Sequence, residues 1–223
     1  MDRNRREFIR RGAAGLAVAA GALLLPRGLG ATPSDGSSVP QLFDATLPEG
    51  ARATEDNIQG PFFRLGAPFR AKVTPPLEAG TVLLITGRVW ALDSRKPLNA
   101  AIIDLWQASA AGRYDNDDRK NPPDPEVFAN RARMRTDEQG RYEFESIHPG
   151  AYKDGSMWRP PHIHYRVIAP GYRKLVTQLY FEGDPHQKKD PFIKKELIIK
   201  LTKTRKDKAE YETGVFDIVL AKA

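Results

Sequence analysis

The chain has 223 residues, a formal net charge of +7 and no cysteine. Without cysteine it forms no disulfide and no cysteine-ligated zinc or iron–sulfur site, so any metal must be held by His, Tyr, Asp or Glu. The first 31 residues hold six arginines against two acidic residues, a surplus of +4 that leaves only +3 for the remainder. That remainder does not indicate a nucleic-acid partner.

The N-terminus has the pattern of an export signal. Asn4-Arg-Arg-Glu-Phe-Ile-Arg10 is a twin-arginine motif, and the apolar run 12–25 that follows is shorter than the about 20 residues of a membrane span. We expect residues 1–31 to be a twin-arginine signal peptide, 32–53 a flexible lead-in and 54–223 one domain. The hypothesis is export, to the periplasm in the simplest case, with no stable membrane anchor after cleavage; an uncleaved anchor is the alternative.

Short strand patterns separated by Pro- and Gly-rich loops fill the remainder of the chain. In chain order they are 82–90, 101–106, 133–136, 141–145, 162–169, 175–181, 196–201 and 214–220. The segment 137–140 ends in glycine and predicts a hairpin. The Asp- and Pro-rich stretch 115–125 predicts a surface loop, either passive or functional, and the basic stretch 200–208 a solvated loop. The predicted class is all-β, a β-sandwich of mostly antiparallel strands with long loops around a metal site.

The metal site is suggested first by two histidines that stand two residues apart. The segment Arg159 to Tyr165 reads Arg-Pro-Pro-His-Ile-His-Tyr. In a strand, His162 and His164 point to the same face, and neutral imidazole is a common ligand of transition metals. The other interpretation is a pair of hydrogen-bonded histidines on a half-buried strand. Two histidines hold a metal incompletely, so further ligands must come from elsewhere in the chain.

Tyr114 and Tyr152 are candidates for those ligands, because each follows a predicted strand and stands near a glycine. By composition alone, any of the seven tyrosines is more readily a core or surface residue. At this point the chain resembles the intradiol ring-cleaving dioxygenases, such as catechol 1,2-dioxygenase and protocatechuate 3,4-dioxygenase. The resemblance runs from 59 to 184 and includes the segments Gln59-Gly-Pro-Phe-Phe, Asp104-Leu-Trp-Gln-Ala, Gly112-Arg-Tyr, Thr136-Asp-Glu-Gln-Gly-Arg-Tyr, Pro149-Gly-Ala-Tyr, Arg159-Pro-Pro-His-Ile-His and Thr177-Gln-Leu-Tyr-Phe.

The resemblance implies a non-haem iron(III) held by two tyrosinates and two neutral histidines. In the family's pattern Tyr114 and His162 would be the equatorial ligands. Tyr152 and His164 would be axial, and Tyr152 would leave the iron when substrate binds. Phenolate is a hard anionic donor, which suits ferric iron, and binding to a cation lowers the pKa of a phenol.

The implied reaction inserts both atoms of O2 into a catechol-type diol and gives a cis,cis-muconate-type product. Arg159 would stabilise negative charge near the substrate, and Gln178 would help to position the oxygen-derived group. Which catechol is cleaved stays open, and a homo-oligomer is possible. Two departures from the family pattern, Gln59 in place of an acidic residue and Phe63 in place of a tyrosine, concern substrate fit and not iron binding.

Two other functions fit parts of the sequence. One is an exported, non-catalytic, prealbumin-like β-sandwich binding module, which would lack stoichiometric iron. The other is an iron(II) dioxygenase with two histidines and a carboxylate such as Asp184. The family pattern does not use His148, which we interpret as a loop residue, and we expect His186 to be solvated. Trp158 is a candidate to line the pocket.

Overall fold

The computed structural model describes residues 45–206 and 209–223, so the predicted signal peptide and most of the predicted lead-in lie outside the described residues. The described chain is almost entirely β-structure, which confirms the predicted class. Its strands are β1 (Val82–Ala91), β2 (Ile102–Gln107), β3 (Arg131–Arg135), β4 (Arg141–Ile147), β5 (Tyr152–Asp154), β6 (Met157–Arg159), β7 (His162–Ile168), β8 (Leu175–Phe181), β9 (Ile198–Ile199), β10 (Thr202–Lys206), β11 (Ala209–Val215) and β12 (Ile218–Leu220). Short 3-10 helices span Pro185–Lys189 and Lys195–Leu197. Within the described part, no helix is long and apolar enough to cross a membrane.

Two five-stranded sheets enclose the core. The first, which we call the histidine sheet, has the strand order β3-β2-β7-β8-β9; the second, the β1 sheet, has the order β10-β11-β1-β12, with β4 also paired to β1. Most pairs are antiparallel, as predicted, whereas β1 pairs with β11 and β12, and β8 with β9, in parallel. The core contains apolar side chains of both sheets, among them Leu83, Ile85, Phe144, Ile103, Ile163 and Leu179. The strands β5 and β6 form a separate two-stranded ribbon.

The two sheets differ in how their outer faces are covered. Alternate residues of β1 and β4 are buried, which is the pattern of a sheet with one face on the core. In β2 and β8 nearly every residue is buried. The reason is a second layer of chain, because the segment 57–64 crosses the outer face of the histidine sheet. It starts at the edge of β8, where Asn57 N donates to Val176 O, and continues over the face, where Ile58 O accepts from Gln178 Nε2 and Phe63 packs on Trp106.

The predicted hairpin across 137–140 is wrong. β3 pairs with β2 in the histidine sheet, and β4 pairs with β1 in the other sheet. The connection therefore crosses from one sheet to the other. Thr136 anchors it, because its hydroxyl donates to Leu98 O and accepts from Ala101 N. Two adjacent strands joined by a short loop have the same local pattern in both arrangements, so the sequence alone did not distinguish them.

The structure also differs from the sequence prediction at the basic stretch 200–208 and at the start of the domain. The basic stretch that we expected to be a solvated loop forms the edge strand β10, which pairs with β11. Exposed lysine and arginine side chains on an edge strand discourage pairing with another chain. At the N-terminal side, Leu47 is buried against Trp90 and Val219. Packing against the domain therefore begins before residue 54.

Candidate metal centre

A row of polar side chains crosses the outer face of the histidine sheet. Arg131 lies opposite Trp106, Trp106 opposite His164, and His164 opposite Gln178 in neighbouring strands. Residues directly opposite each other point to the same face, and His162, two residues before His164, shares it. All five side chains are buried. The strand register thus places both histidines on the face that the segment 57–64 covers.

The two imidazoles converge through their Nε2 atoms, which lie 3.1 Å apart. His162 Nδ1 lies 2.7 Å from Pro160 O, so Nδ1 carries the proton and donates, and Nε2 presents its lone pair. The ring of His164 is stacked on Trp106, with centroids 4.7 Å apart and an angle of 4°. The rings are therefore held in fixed orientations, as metal-binding histidines require. A side chain at Gly60 would reach toward His164, since a Cβ there would lie 3.5 Å from Cε1.

The tyrosines reach the same point through two loops that pack backbone to backbone. A Cβ on Gly112 would lie 2.2 Å from Ala151 O, and a Cβ on Gly150 would lie 2.3 Å from Ala110 O. Only glycine allows this approach, and Gly112 also has a positive φ of 73°. As a result, the Tyr114 and Tyr152 rings meet edge to face with centroids 5.4 Å apart.

Tyr114 completes the cluster of donor atoms. Its Oη lies 3.4 Å from His162 Nε2, and the Tyr152 ring centroid lies 5.7 Å from that of His162. The predicted ligands Tyr114, Tyr152, His162 and His164 are therefore brought together. Phe62, which lies in the segment Gln59-Gly-Pro-Phe-Phe but had no role in the sequence prediction, stacks on Tyr114 at 4.2 Å and covers the cluster.

Burial controls the ionisation of these groups. It lowers the pKa of His162 to about 3, with a further contribution from the positive charge of Arg159, and it lowers the pKa of His164 well below its usual value. Burial also raises the pKa of Tyr114 well above its usual value, and raises that of Tyr152. Without a cation the cluster is thus two neutral imidazoles and two neutral phenols. A trivalent cation among them would favour the phenolates.

Arg159 and Gln178 lie beside the cluster and contact each other. Arg159 Nη2 donates to Gln178 Oε1 at 2.9 Å, and Gln178 Nε2 donates to Ile58 O at 2.8 Å. The register explains part of this arrangement, because Arg159 is paired with Tyr152 in the β5–β6 ribbon and so shares its face. Trp158 shares the opposite face with Lys153 and is half exposed, so the ribbon turns it away from Tyr152.

A buried ion pair supports the cluster from the side of Tyr114. Asp115 follows that tyrosine and accepts hydrogen bonds from Arg131 Nε at 2.8 Å and from Arg64 Nη1 at 2.8 Å. Arg64 also donates to Val127 O at 2.9 Å. The predicted surface loop 115–125 is thereby tied to the segment that carries Phe62. The sequence did not indicate this network, because its members are far apart along the chain.

The other two histidines have separate partners. His148 Nδ1 lies 2.6 Å from Glu212 Oε2, and His186 stacks on Trp158 with centroids 5.1 Å apart. Asp184 accepts a hydrogen bond from the backbone N of His186 and caps the first 3-10 helix. Among the described residues, no three His, Cys, Asp or Glu side chains are grouped to hold a metal. The alternative with two histidines and a carboxylate therefore has no support in the described part of the chain.

The donor set fits a ferric ion. The two Nε2 atoms lie 3.1 Å apart, with Tyr114 Oη 3.4 Å from one of them, so one ion could bind all three atoms. Both imidazoles are neutral, and the phenols provide hard oxygen donors once ionised. The residues Tyr114, Tyr152, His162 and His164 could therefore hold the metal.

Comparison with known proteins shows the family to which the chain belongs. A family model described as Dioxygenase matches residues 58–222. A chlorocatechol 1,2-dioxygenase of Rhodococcus opacus is 35% identical over 189 residues, which cover 75% of this chain and 72% of that protein. A protocatechuate 3,4-dioxygenase beta chain of Burkholderia cepacia is 43% identical over 121 residues, which cover 51% of this chain and 50% of that one. The chain thus spans only about half the length of some of its relatives.

Solved structures give the same result. The 3-chlorocatechol 1,2-dioxygenase of Rhodococcus opacus superposes with a TM-score of 0.71 at 30% identity, covering 78% of this chain and 75% of that one. The dioxygenase domain of a carbohydrate-binding fusion protein from Streptomyces sp. SirexAA-E has a TM-score of 0.64 at 31% identity, covering 77% and 100%. The fold and site define a β-sandwich enzyme of the dioxygenase class. The chain belongs to the intradiol ring-cleaving dioxygenase family.

Proposed function

We propose that this protein is a non-haem iron(III)-dependent intradiol dioxygenase. It would cleave a catechol-type diol between its two hydroxylated carbons and release a cis,cis-muconate-type product. Both atoms of O2 enter the product, so the reaction needs no external reductant. The iron, the catechol and the product are proposals supported by the site and by the names of the relatives. The comparisons favour this enzyme over the prealbumin-like binding module.

The observation that carries the proposal is the convergence of four donors of the right chemistry. The Nε2 atoms of two neutral histidines lie 3.1 Å apart, and Tyr114 Oη lies 3.4 Å from one of them. Without a cation, His164 Nε2 carries the proton and donates to His162 Nε2, because His164 Nδ1 has no partner among the described residues. A cation beside both Nε2 atoms would take the place of this proton, with that of His164 moved to Nδ1. Two phenolates supply negative charge, which favours the ferric over the ferrous state.

Ferric iron, when bound, supplies Lewis acidity that draws electron density from a chelated diol. Residues of the chain would accept the proton, supply positive charge and exclude water. Tyr152 Oη would accept a proton from a hydroxyl of the incoming catechol and so become a neutral phenol. Arg159 lies close enough for its charge to lower the pKa of Tyr152, against the larger effect of burial, which raises it. Phe62 and Trp106 pack in one cluster with Tyr114 and Tyr152 and so restrict the access of water to the donor atoms.

The test is a visible spectrum of the purified protein with iron analysis, before and after anaerobic addition of catechol. We expect about one iron per chain and a coloured tyrosinate-to-iron(III) band that moves to longer wavelength with catechol. Admission of labelled O2 should then put both labels into one ring-opened dicarboxylate. A protein that stays colourless and free of iron after reconstitution would contradict the proposal. One label in the product would contradict the dioxygenase reaction.

We also propose that the protein is exported by the twin-arginine route to the periplasm or beyond. The support is the sequence of residues 4–10, which lie outside the described structure. An Arg5→Lys, Arg6→Lys double variant should accumulate in the cytoplasm of a bacterial host, whereas the unmodified chain should appear in the periplasmic fraction. Equal distribution of the two proteins would rule out this route.

A further inference from the structure

Arg159 is held from three sides by residues that are not metal-ligand candidates. Its Nε donates to Asp190 Oδ2 at 2.7 Å, and its Nη2 donates to Gln178 Oε1 at 2.9 Å. Phe192 lies under the guanidinium, whose central carbon is 4.8 Å from the ring centroid. The side chains of Arg159 and Asp190 are 2% and 0% exposed. This is a buried pair, so its charges are not screened by solvent.

Asp190 is itself fixed by the backbone. Its Oδ1 accepts a hydrogen bond from Phe192 N at 2.8 Å, which leaves Oδ2 for Arg159. The same turn is tied to the segment over the histidine sheet, because Asn57 Nδ2 donates to Phe192 O at 2.8 Å. The carboxylate therefore stands in one place and presents one oxygen to the guanidinium.

The geometry leaves one edge of the guanidinium available. Asp190 and Gln178 occupy Nε and Nη2, which lie on the same edge of the planar group. Within residues 45–206 and 209–223, none of the hydrogen bonds of Arg159 uses Nη1. The Nη1 edge is thus the one with donors to spare for a substrate at the neighbouring cluster.

We propose that Asp190 is a positioning residue for ring cleavage: it holds Arg159 by Nε so that the Nη1 edge faces the substrate bound at the metal centre. Asp190 touches neither the donors nor the substrate and acts only through Arg159. The inference rests on the proposed function, because it assigns Asp190 to that reaction. A charge that is oriented before the reaction stabilises developing negative charge more than one that must reorient.

The test compares Asp190→Asn with the unmodified enzyme. Asparagine keeps the size of the side chain and removes its charge. We expect unchanged iron content, an unchanged visible band and anaerobic catechol binding within about threefold, together with a kcat lower by roughly 10- to 100-fold, since misplacement of a catalytic group by about 1 Å has effects of this size. Loss of iron, or an unchanged kcat, would overturn the inference.

A second comparison separates positioning from a general effect on the fold. In an Arg159→Ala background, Asp190→Asn should lower kcat by less than about twofold further, because its effect passes through the missing guanidinium. If Asp190→Asn lowers kcat by the same factor in both backgrounds, Asp190 acts by another route.

The matched control is Asp104→Asn, which removes another buried carboxylate; Asp104 pairs with Arg133 and Arg166 within the histidine sheet. It should leave kcat within about twofold.

Phe192→Leu provides an independent variant if Asp190→Asn does not fold. It removes the ring under the guanidinium and keeps the buried ion pair. We expect intact iron and a kcat lowered by about threefold to tenfold, in line with the strength of a desolvated cation–π contact. An unmodified protein without iron or activity would instead contradict the proposed function. A fully active Phe192→Leu enzyme would show that kcat does not depend on how firmly the guanidinium is oriented, and would count only against the inference.

Discussion

The histidine sheet and the β1 sheet share one core but differ in what covers their outer faces. On the β1 sheet, outward side chains such as Arg88, Glu143 and Glu145 are partly or fully exposed. On the histidine sheet, outward side chains such as Trp106, His164 and Gln178 are buried under the segment 57–64. Burying polar groups costs free energy unless they are paired, so a buried polar face needs a physical reason. The reason that we propose is a metal centre, which needs neutral histidines and buried, paired charges around it.

The largest expected contrast is iron binding. His164→Ala should lose the iron, and His162→Ala and Tyr114→Phe should lose it or most of the activity, because each removes one of a few ligands. Tyr142→Phe is the control from the β1 sheet. Its hydroxyl donates to Phe216 O, so its loss should cost about 1 kcal/mol of stability with the iron unchanged. Iron analysis and the visible spectrum measure this contrast, and a fully active His164→Ala protein would refute the ligand assignment.

The Tyr152→Phe variant should distinguish the role of Tyr152 from that of Tyr114. We expect retained iron, because three ligands remain, and substrate binding slower by on the order of 100-fold, because the base for the catechol proton is gone. Stopped-flow mixing with catechol under nitrogen measures the rate. Binding kinetics identical to those of the unmodified enzyme would remove Tyr152 from this role.

Acid should destabilise the iron-free protein because the histidine sheet buries neutral histidines. The unfolded chain protonates His162 near pH 6.5, whereas burial lowers the folded-state pKa to about 3. The unfolded state thus binds more protons between these values, and the free energy of unfolding falls as the pH drops through this window. Each such histidine contributes about 1.4 kcal/mol per pH unit. Urea titrations of the iron-free protein at pH 7 and pH 5 would reveal it, and His162→Gln should reduce the slope. Equal stability at both pH values would contradict the buried neutral histidines.

The smallest contrast concerns ion pairs. Asp104→Asn breaks a buried pairing with Arg133 and Arg166 and should cost about 2 kcal/mol. Glu145→Gln on β4 breaks an exposed pair with Lys72 and should cost less than about 1 kcal/mol. Thermal unfolding of both variants and of the unmodified protein measures which substitution costs more stability. A reversal would show that the outer face of the histidine sheet is less shielded than its burial indicates.

Much of this architecture was predictable from local patterns. Alternation and turn residues predicted β1, β2, β3, β4, β7 and β8, because the period of two is a property of the strand itself. They predicted β9 and β12 only in part, and they missed β5, β6, β10 and most of β11, which are short or lie at a sheet edge or in the separate ribbon. The spacing of His162 and His164 placed both on one face. The resemblance to the family named Tyr114 and Tyr152, which composition could not single out from the other tyrosines.

Sequence by itself thus determined the all-β class, the strand that carries the histidines and the candidate donor atoms. Only the tertiary structure decided that β3 and β4 lie in different sheets, that Trp158 turns away from the centre and that Asp190 holds Arg159. Each of these depends on a contact between segments whose local patterns are the same in either arrangement. Packing and the pairing of buried charges select one of the possible arrangements, and these interactions form only once segments that are distant in sequence meet.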